Sequence, residues 1–115
     1  MRFSAVSTIL ITLSLFATPC HALTGEQLLD GLRAQEDPRR QYTFEAGLAI
    51  GFVSGTANTA LSLGAICPST VISTNQMIAV ARKHIEDRPS YWNLPAEGLV
   101  FAALRDAFPC QSLQQ

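Results

Sequence analysis

The sequence predicts an all-α fold, a small bundle of four to five helices stabilised by one disulfide. Three observations point there. Two capping boxes open runs with helical apolar spacing, no stretch alternates Val, Ile and Thr in the manner of a strand, and an even pair of cysteines remains once a cleavable leader is set aside. With 115 residues the chain holds one small domain at most. Hydrophobic residues make up 48% and charged residues 15%, a balance that excludes intrinsic disorder. The formal charge of −1 and the lack of any basic run beyond Arg39-Arg40 and Arg82-Lys83 exclude nucleic-acid binding as a primary role.

The leader comes first. Arg2 precedes an apolar run from Ala5 to Ala17, followed by Thr18-Pro19-Cys20-His21-Ala22. A basic start, an apolar stretch too short to span a bilayer well, a Pro breaker and small residues before the cut describe a secretory signal peptide over residues 1–22, with the mature chain starting at Leu23. Export implies an oxidising compartment. Cys20 leaves with the leader, so Cys67 and Cys110 are expected to be bonded to each other. The loop they close is about 44 residues, for which chain entropy gives roughly 4 kcal/mol of stabilisation. A metal site is not expected, since His84 and two cysteines lack zinc-ligand spacing.

The helices follow in order. Thr24 with Gln27 forms a T-x-x-Q capping box, and Leu28, Leu29 and Leu32 give the first helix its apolar stripe as far as about Gln35. Asp37-Pro38 is read as N-cap and first position of a long helix running to about Leu63. On it Phe44, Leu48 and Phe52 form a bulky ridge beside a groove of Gly47, Gly51 and Gly55. Interior glycines cost about 0.5–1 kcal/mol each relative to alanine, so Gly51 and Gly55 are expected to sit at a close helix–helix contact. No charge occurs from Ala46 to Ala81, but the hydroxyls, Asn58 and the glycines fit a buried helix better than a membrane span. Gly64 caps this helix, and Ile66 to Thr70 form a turn. Ser73 with Gln76 is the second capping box, opening a helix with Met77, Ile78, Ala81 and Ile85 on its apolar face that ends at Arg88-Pro89. Pro95 starts a last helix in which Leu99, Val100, Ala103, Leu104 and Ala107 keep helical spacing.

The chain has no set of residues with the pattern of a catalyst. His84 is the only histidine of the mature chain, both mature cysteines are assigned to the disulfide, and the acidic residues lie at helix starts or on polar faces. The glycines sit inside helical pattern rather than in a phosphate-cradling turn. No cofactor is implied. One segment does stand out: between the third and fourth helices, Asp87, Arg88, Ser90, Tyr91, Trp92 and Asn93 lie on a connection stiffened by Pro89 and Pro95. Tyr, Trp and Arg are the residues that most often anchor protein interfaces, so this loop is the candidate partner-binding element, with Trp92 expected as its anchor. The other reading has Trp92 folding back over the core, in which case the exposed face of the last helix around Arg105 and Asp106 is the next candidate surface.

These residues resemble a known family. The run Phe44-Glu45-Ala46-Gly47, then Gly51-Phe52-Val53-Ser54-Gly55, Ile66-Cys67-Pro68, the capped helix ending Ala81-Arg82-Lys83-His84-Ile85, Leu94-Pro95-Ala96 and the closing A-L-x-x-A-F-P-C over Ala103–Cys110 are similar to the Rap/Tai family of immunity proteins. The similarity covers roughly Glu26 to Cys110, with Asn58 where an acid is common and His84 where an aromatic is common. The resemblance implies a helical, disulfide-stabilised, usually dimeric periplasmic protein with no membrane attachment after signal cleavage. Its partner would be a secreted cell-wall amidase effector delivered by type VI secretion, inhibited by occlusion of the amidase cleft. A small periplasmic acid-stress-type chaperone and an orphan helical binding module are the alternative functions.

Overall fold

A computed structural model describes residues 21–111, so the leader expectation lies almost wholly outside the described residues. Among the described residues four α-helices follow one another, α1 (Gly25–Glu36), α2 (Phe44–Ser62), α3 (Thr74–Glu86) and α4 (Ala96–Ala107), with a 3-10 turn at Pro89–Tyr91. Among the described residues there is no β-strand, only an isolated antiparallel bridge between Thr24 and Pro95. The main packings are α1 on α2 and α3 on α4, around a core in which Leu28, Leu29, Leu32, Val53, Ile85, Val100 and Leu104 are fully buried. Each such aliphatic side chain contributes about 1.5–3 kcal/mol on leaving water.

Both capping boxes form as read. The Thr24 hydroxyl accepts from the Gln27 amide while the Gln27 side chain accepts from the Thr24 amide, and Ser73 with Gln76 repeats the pattern. Gly64 has φ +67°, and the bonds Gly64 N to Leu61 O and Ala65 N to Ala60 O close α2 in a Schellman motif, which requires a residue without Cβ strain in the left-handed region. Cys67 and Cys110 are disulfide-bonded with Cα atoms 4.7 Å apart, and the Cys67 amide also bonds to Phe108 O, so the end of α4 is tied to the end of α2.

The long helix differs from expectation in two ways. It begins at Phe44 rather than Pro38, with Thr43 as its N-cap. Asp37 instead caps the end of α1, and its carboxylate accepts from the Arg39 amide, turning the chain on itself before a helix can start. Arg40 then reaches back to Asp30 on α1 at 2.9 Å, and that guanidinium hydrogen bond holds the Asp30 carboxyl below its ordinary pKa.

The second difference is the face that α2 buries. Ala46, Ala49, Val53, Ala57 and Ala60 face the core, while Phe44 is 77% exposed and Leu48 44% exposed. A Cβ added at Gly47, Gly51 or Gly55 meets nothing within 4 Å, so the expected close contact at Gly51 and Gly55 is not made among the described residues. The close approach lies at Gly31 of α1, where an added Cβ would come within 2.6 Å of the Glu45 carbonyl oxygen and 2.8 Å of the Ala49 Cβ. The alanine face of α2 lets α1 come near, and Gly31 completes the fit from the other side.

Arg33 bonds to Glu86 at 3.1 Å, and Arg82 pairs with Glu36, so α1 and α3 are also joined along their polar edges. Gly31→Ala should destabilise the protein by about 1–3 kcal/mol, because the atom it meets first is backbone and cannot move aside. Gly47→Ala should stabilise it by about 0.5–1 kcal/mol, since it gains helix propensity in open space. Chemical denaturation of both variants checks the pair of signs. Cys67→Ser should cost about 2–5 kcal/mol in the same measurement.

Candidate functional site

The connection between α3 and α4 is held at both ends and across its middle. At its start, Arg88 N bonds to Ile85 O, and the Arg88 guanidinium donates to His84 O at 3.1 Å, satisfying carbonyls that the end of α3 leaves open. The 3-10 turn follows, with Tyr91 N to Arg88 O and Trp92 N to Pro89 O. The Trp92 indole N–H donates to Ile85 O at 2.7 Å, and Arg33 of α1 lies over the indole at 5.8 Å from its centroid, within cation–π range.

The far side of the loop is fixed by α1. The first amides of a helix have no partner inside it. Here Gly25 N donates to Leu94 O at 3.0 Å and Glu26 N to Trp92 O at 2.9 Å, while Ala96 N donates to Leu23 O at 2.7 Å. Gly25 eases this approach: a Cβ there would displace the end of the Leu99 side chain and lie 3.3 Å from Trp92 O, a tight contact.

These contacts divide the six expected partner-binding residues. Arg88 and Trp92 are half-buried and engaged with the scaffold, whereas Asp87, Ser90, Tyr91 and Asn93 are exposed. Asp87 pairs with Lys83 at 3.1 Å on the outer surface of α3. Tyr91 is 48% exposed, and Leu94, which the sequence reading passed over, is 43% exposed beside it. Tyr91, Leu94, Pro95, Gly98 and Ala102 line one side of a shallow, largely apolar cavity of about 490 Å³ whose opposite side carries His84 and Arg88. Reading the sequence alone also missed Gly25 and Arg33. The signal for Gly25 was there, in a glycine placed inside a capping box where a helix former is expected. For Arg33 there was none, because its contact joins residues 59 positions apart.

His84 is more enclosed than a polar helix residue usually is, with its side chain 12% exposed between α3 and α4. Its Nδ1 stands 3.8 Å from Asp106. Burial is the main cause of a pKa below the ordinary 6.5, with the Arg88 cation adding to it, while Asp106 and Asp87 pull the other way. Among the described residues no three His, Cys, Asp or Glu side chains converge in a way that would hold a metal ion, and no helix is long and apolar enough to cross a membrane.

Four helices, one disulfide and a loop braced from two sides define a small all-α domain. Comparison with known families gives the particular one: a family model of Rap1a immunity proteins matches residues 24–110, and the chain belongs to that family. A search of curated proteins finds no match. Membership brings with it the coarse function, immunity to a type VI secretion effector through binding of that effector.

The His84 environment predicts an acid-sensitive fold. The unfolded chain takes up the proton at ordinary pKa and the folded chain only at lower pH, so stability falls as pH drops from about 7 to about 5. His84→Gln should flatten this part of the stability curve. An unchanged slope in urea titrations of the variant would show that the ring is not responsible.

Proposed function

We propose that this protein is a periplasmic inhibitor of a peptidoglycan amidase effector, and that the loop from Asp87 to Asn93 enters or covers the amidase cleft. The observation that carries the reading is the bracing of this loop. Its backbone is bonded to α1 and α3, so Tyr91 is held outward on a segment that loses little freedom on binding, and preorganisation of this kind reduces the entropy cost of association. The family resemblance supplies the amidase as partner, the homodimer as the working assembly and the periplasm as the place of action. The leader over residues 1–22 supports export, and the chain acts by occlusion rather than by catalysis.

The roles within the loop follow from burial. Tyr91 and Asn93, with Ser90 and Asp87, make the contact. Trp92 and Arg88 are positioning residues that keep the loop in shape from beneath. An aromatic at the centre of an interface typically costs 2 kcal/mol or more when truncated, about a thirtyfold loss of affinity.

Tyr91→Ala combined with Asn93→Ala should therefore weaken binding to a purified Cys–His peptidoglycan amidase effector by about thirtyfold or more while leaving the circular-dichroism spectrum and melting temperature in place. Trp92→Ala should lower both binding and melting temperature, because it removes the bond to Ile85 O and the Arg33 contact. Cells exporting the full chain should survive an amidase directed to the periplasm. Survival no better than without the chain would overturn the reading.

A further inference from the structure

Beneath the loop, His84 sits where a charge is hard to keep. Its side chain is 12% exposed between α3 and α4, and the ring lies on the wall of the cavity of about 490 Å³ that Tyr91 and Leu94 close from the other side. Charged and titratable groups face it from each neighbouring element. From α4, Asp106 stands 3.8 Å from Nδ1, beyond hydrogen-bond range and itself largely exposed, and Glu97 lines the same cavity. From the end of α3 and the loop come Asp87, Arg88 and Tyr91. No carboxylate among these makes a close ion pair with the ring, and a guanidinium shares its cavity.

The same residue carries the first tie of the loop. His84 O accepts from the Arg88 guanidinium at 3.1 Å, Arg88 O accepts from the Tyr91 amide at 3.0 Å, and Tyr91 O accepts from the Leu94 amide at 2.9 Å. These bonds run without a break from His84 to the outward Tyr91. A proton on the ring sets an imidazolium beside the Arg88 cation, and a buried charge without a close partner draws in water. Water reaches the ring through the cavity, so admitting it moves the segment that closes the cavity, while the buried Leu99 on its wall stays with the core.

We propose that His84 is a proton-operated latch on the loop: with the ring neutral, Arg88 and Tyr91 are held in the effector-ready position, and with the ring protonated that segment is released while the four helices stay packed. The latch is a property of the fold; its effect on the effector rests on the inhibitor reading and names the regulation of that same site. Burial first and Arg88 second hold the closed ring below its ordinary pKa of 6.5, against the pull of Asp106 and Asp87, and a released ring returns toward 6.5. The closed form is therefore fully favoured above that value and is lost progressively as pH falls below it.

Native-state hydrogen exchange of the mature chain, followed by NMR in low urea between about pH 7.5 and about pH 5, tests this. His84 is the only histidine beyond the leader, so its ring signals titrate without ambiguity. Protection of the Tyr91 and Leu94 amides should fall severalfold as the ring takes up its proton, through an opening that urea does not promote because it exposes little surface. The core amides of Val100 and Leu104 should open only through urea-dependent unfolding. His84→Gln, neutral at every pH, should abolish the fall. Asp106→Asn, at an exposed position, should deepen it, because it removes the carboxylate that supports the charged ring in the closed form. The wild type and Asp106→Asn decide the matter even where His84→Gln lowers stability. Affinity for a purified Cys–His peptidoglycan amidase should fall over the same range in the wild type, and less in His84→Gln. Loop amides that keep their protection while the ring titrates, or that lose it equally in His84→Gln, overturn the latch. So does exchange of these amides only together with Val100 and Leu104. A pH-dependent loop on a chain that binds no amidase supports the latch and overturns the inhibitor reading alone.

Discussion

The first turn of α1 sets the shape of the loop between α3 and α4. Its leading amides need acceptors that a helix cannot supply, and three different sources provide them: the Thr24 hydroxyl, the carbonyl of Trp92 and the carbonyl of Leu94. An obligation that other helices discharge to water is met here by a loop some 70 residues further along the chain. The loop is consequently part of the folded scaffold rather than a strap between two helices. Gly25 favours it, because a side chain at that position would push against Leu99 and crowd the Trp92 backbone.

The same constraint explains how anchored and outward side chains are divided within a few residues. Trp92 donates its indole N–H to Ile85 O, its carbonyl accepts from the Glu26 amide, and its ring lies beneath Arg33. With these contacts made, little of it is left to offer a partner. Tyr91 lies on the other side of the 3-10 turn and remains outward. The half-buried Trp92 and the outward Tyr91 are adjacent in sequence because a tight turn points neighbours in different directions.

The helix α2 shows how a small helical protein can hide its design from pattern reading. Alanine and glycine let helices approach closely, but only geometry shows which of them does so. The contact falls on Gly31 and the alanine face, leaving Gly51 and Gly55 on the outside beside Phe52. The uncharged outer face of α2 borders Glu97 and Arg105 on α4, which form no ion pair among the described residues.

Local signals carried most of the fold. The four helices, both capping boxes, the left-handed Gly64 and the pairing of Cys67 with Cys110 were all legible in the sequence, since each depends on neighbours a few residues apart or on there being only one pair to form. The start of α2 was misread because two local motifs competed at Asp37, where an Asx turn prevailed over an N-cap. The candidate loop was legible as well, from its prolines and aromatics. What only the tertiary structure decided was orientation: which face of α2 is buried, which of Tyr91 and Trp92 points outward, and where a glycine is needed for close approach. Helix α2 is apolar or small nearly all round, so periodicity could not choose among its faces; the choice was made by the fit of Gly31 against Ala49 and by the hydrogen bonds that α1 makes to the distant loop.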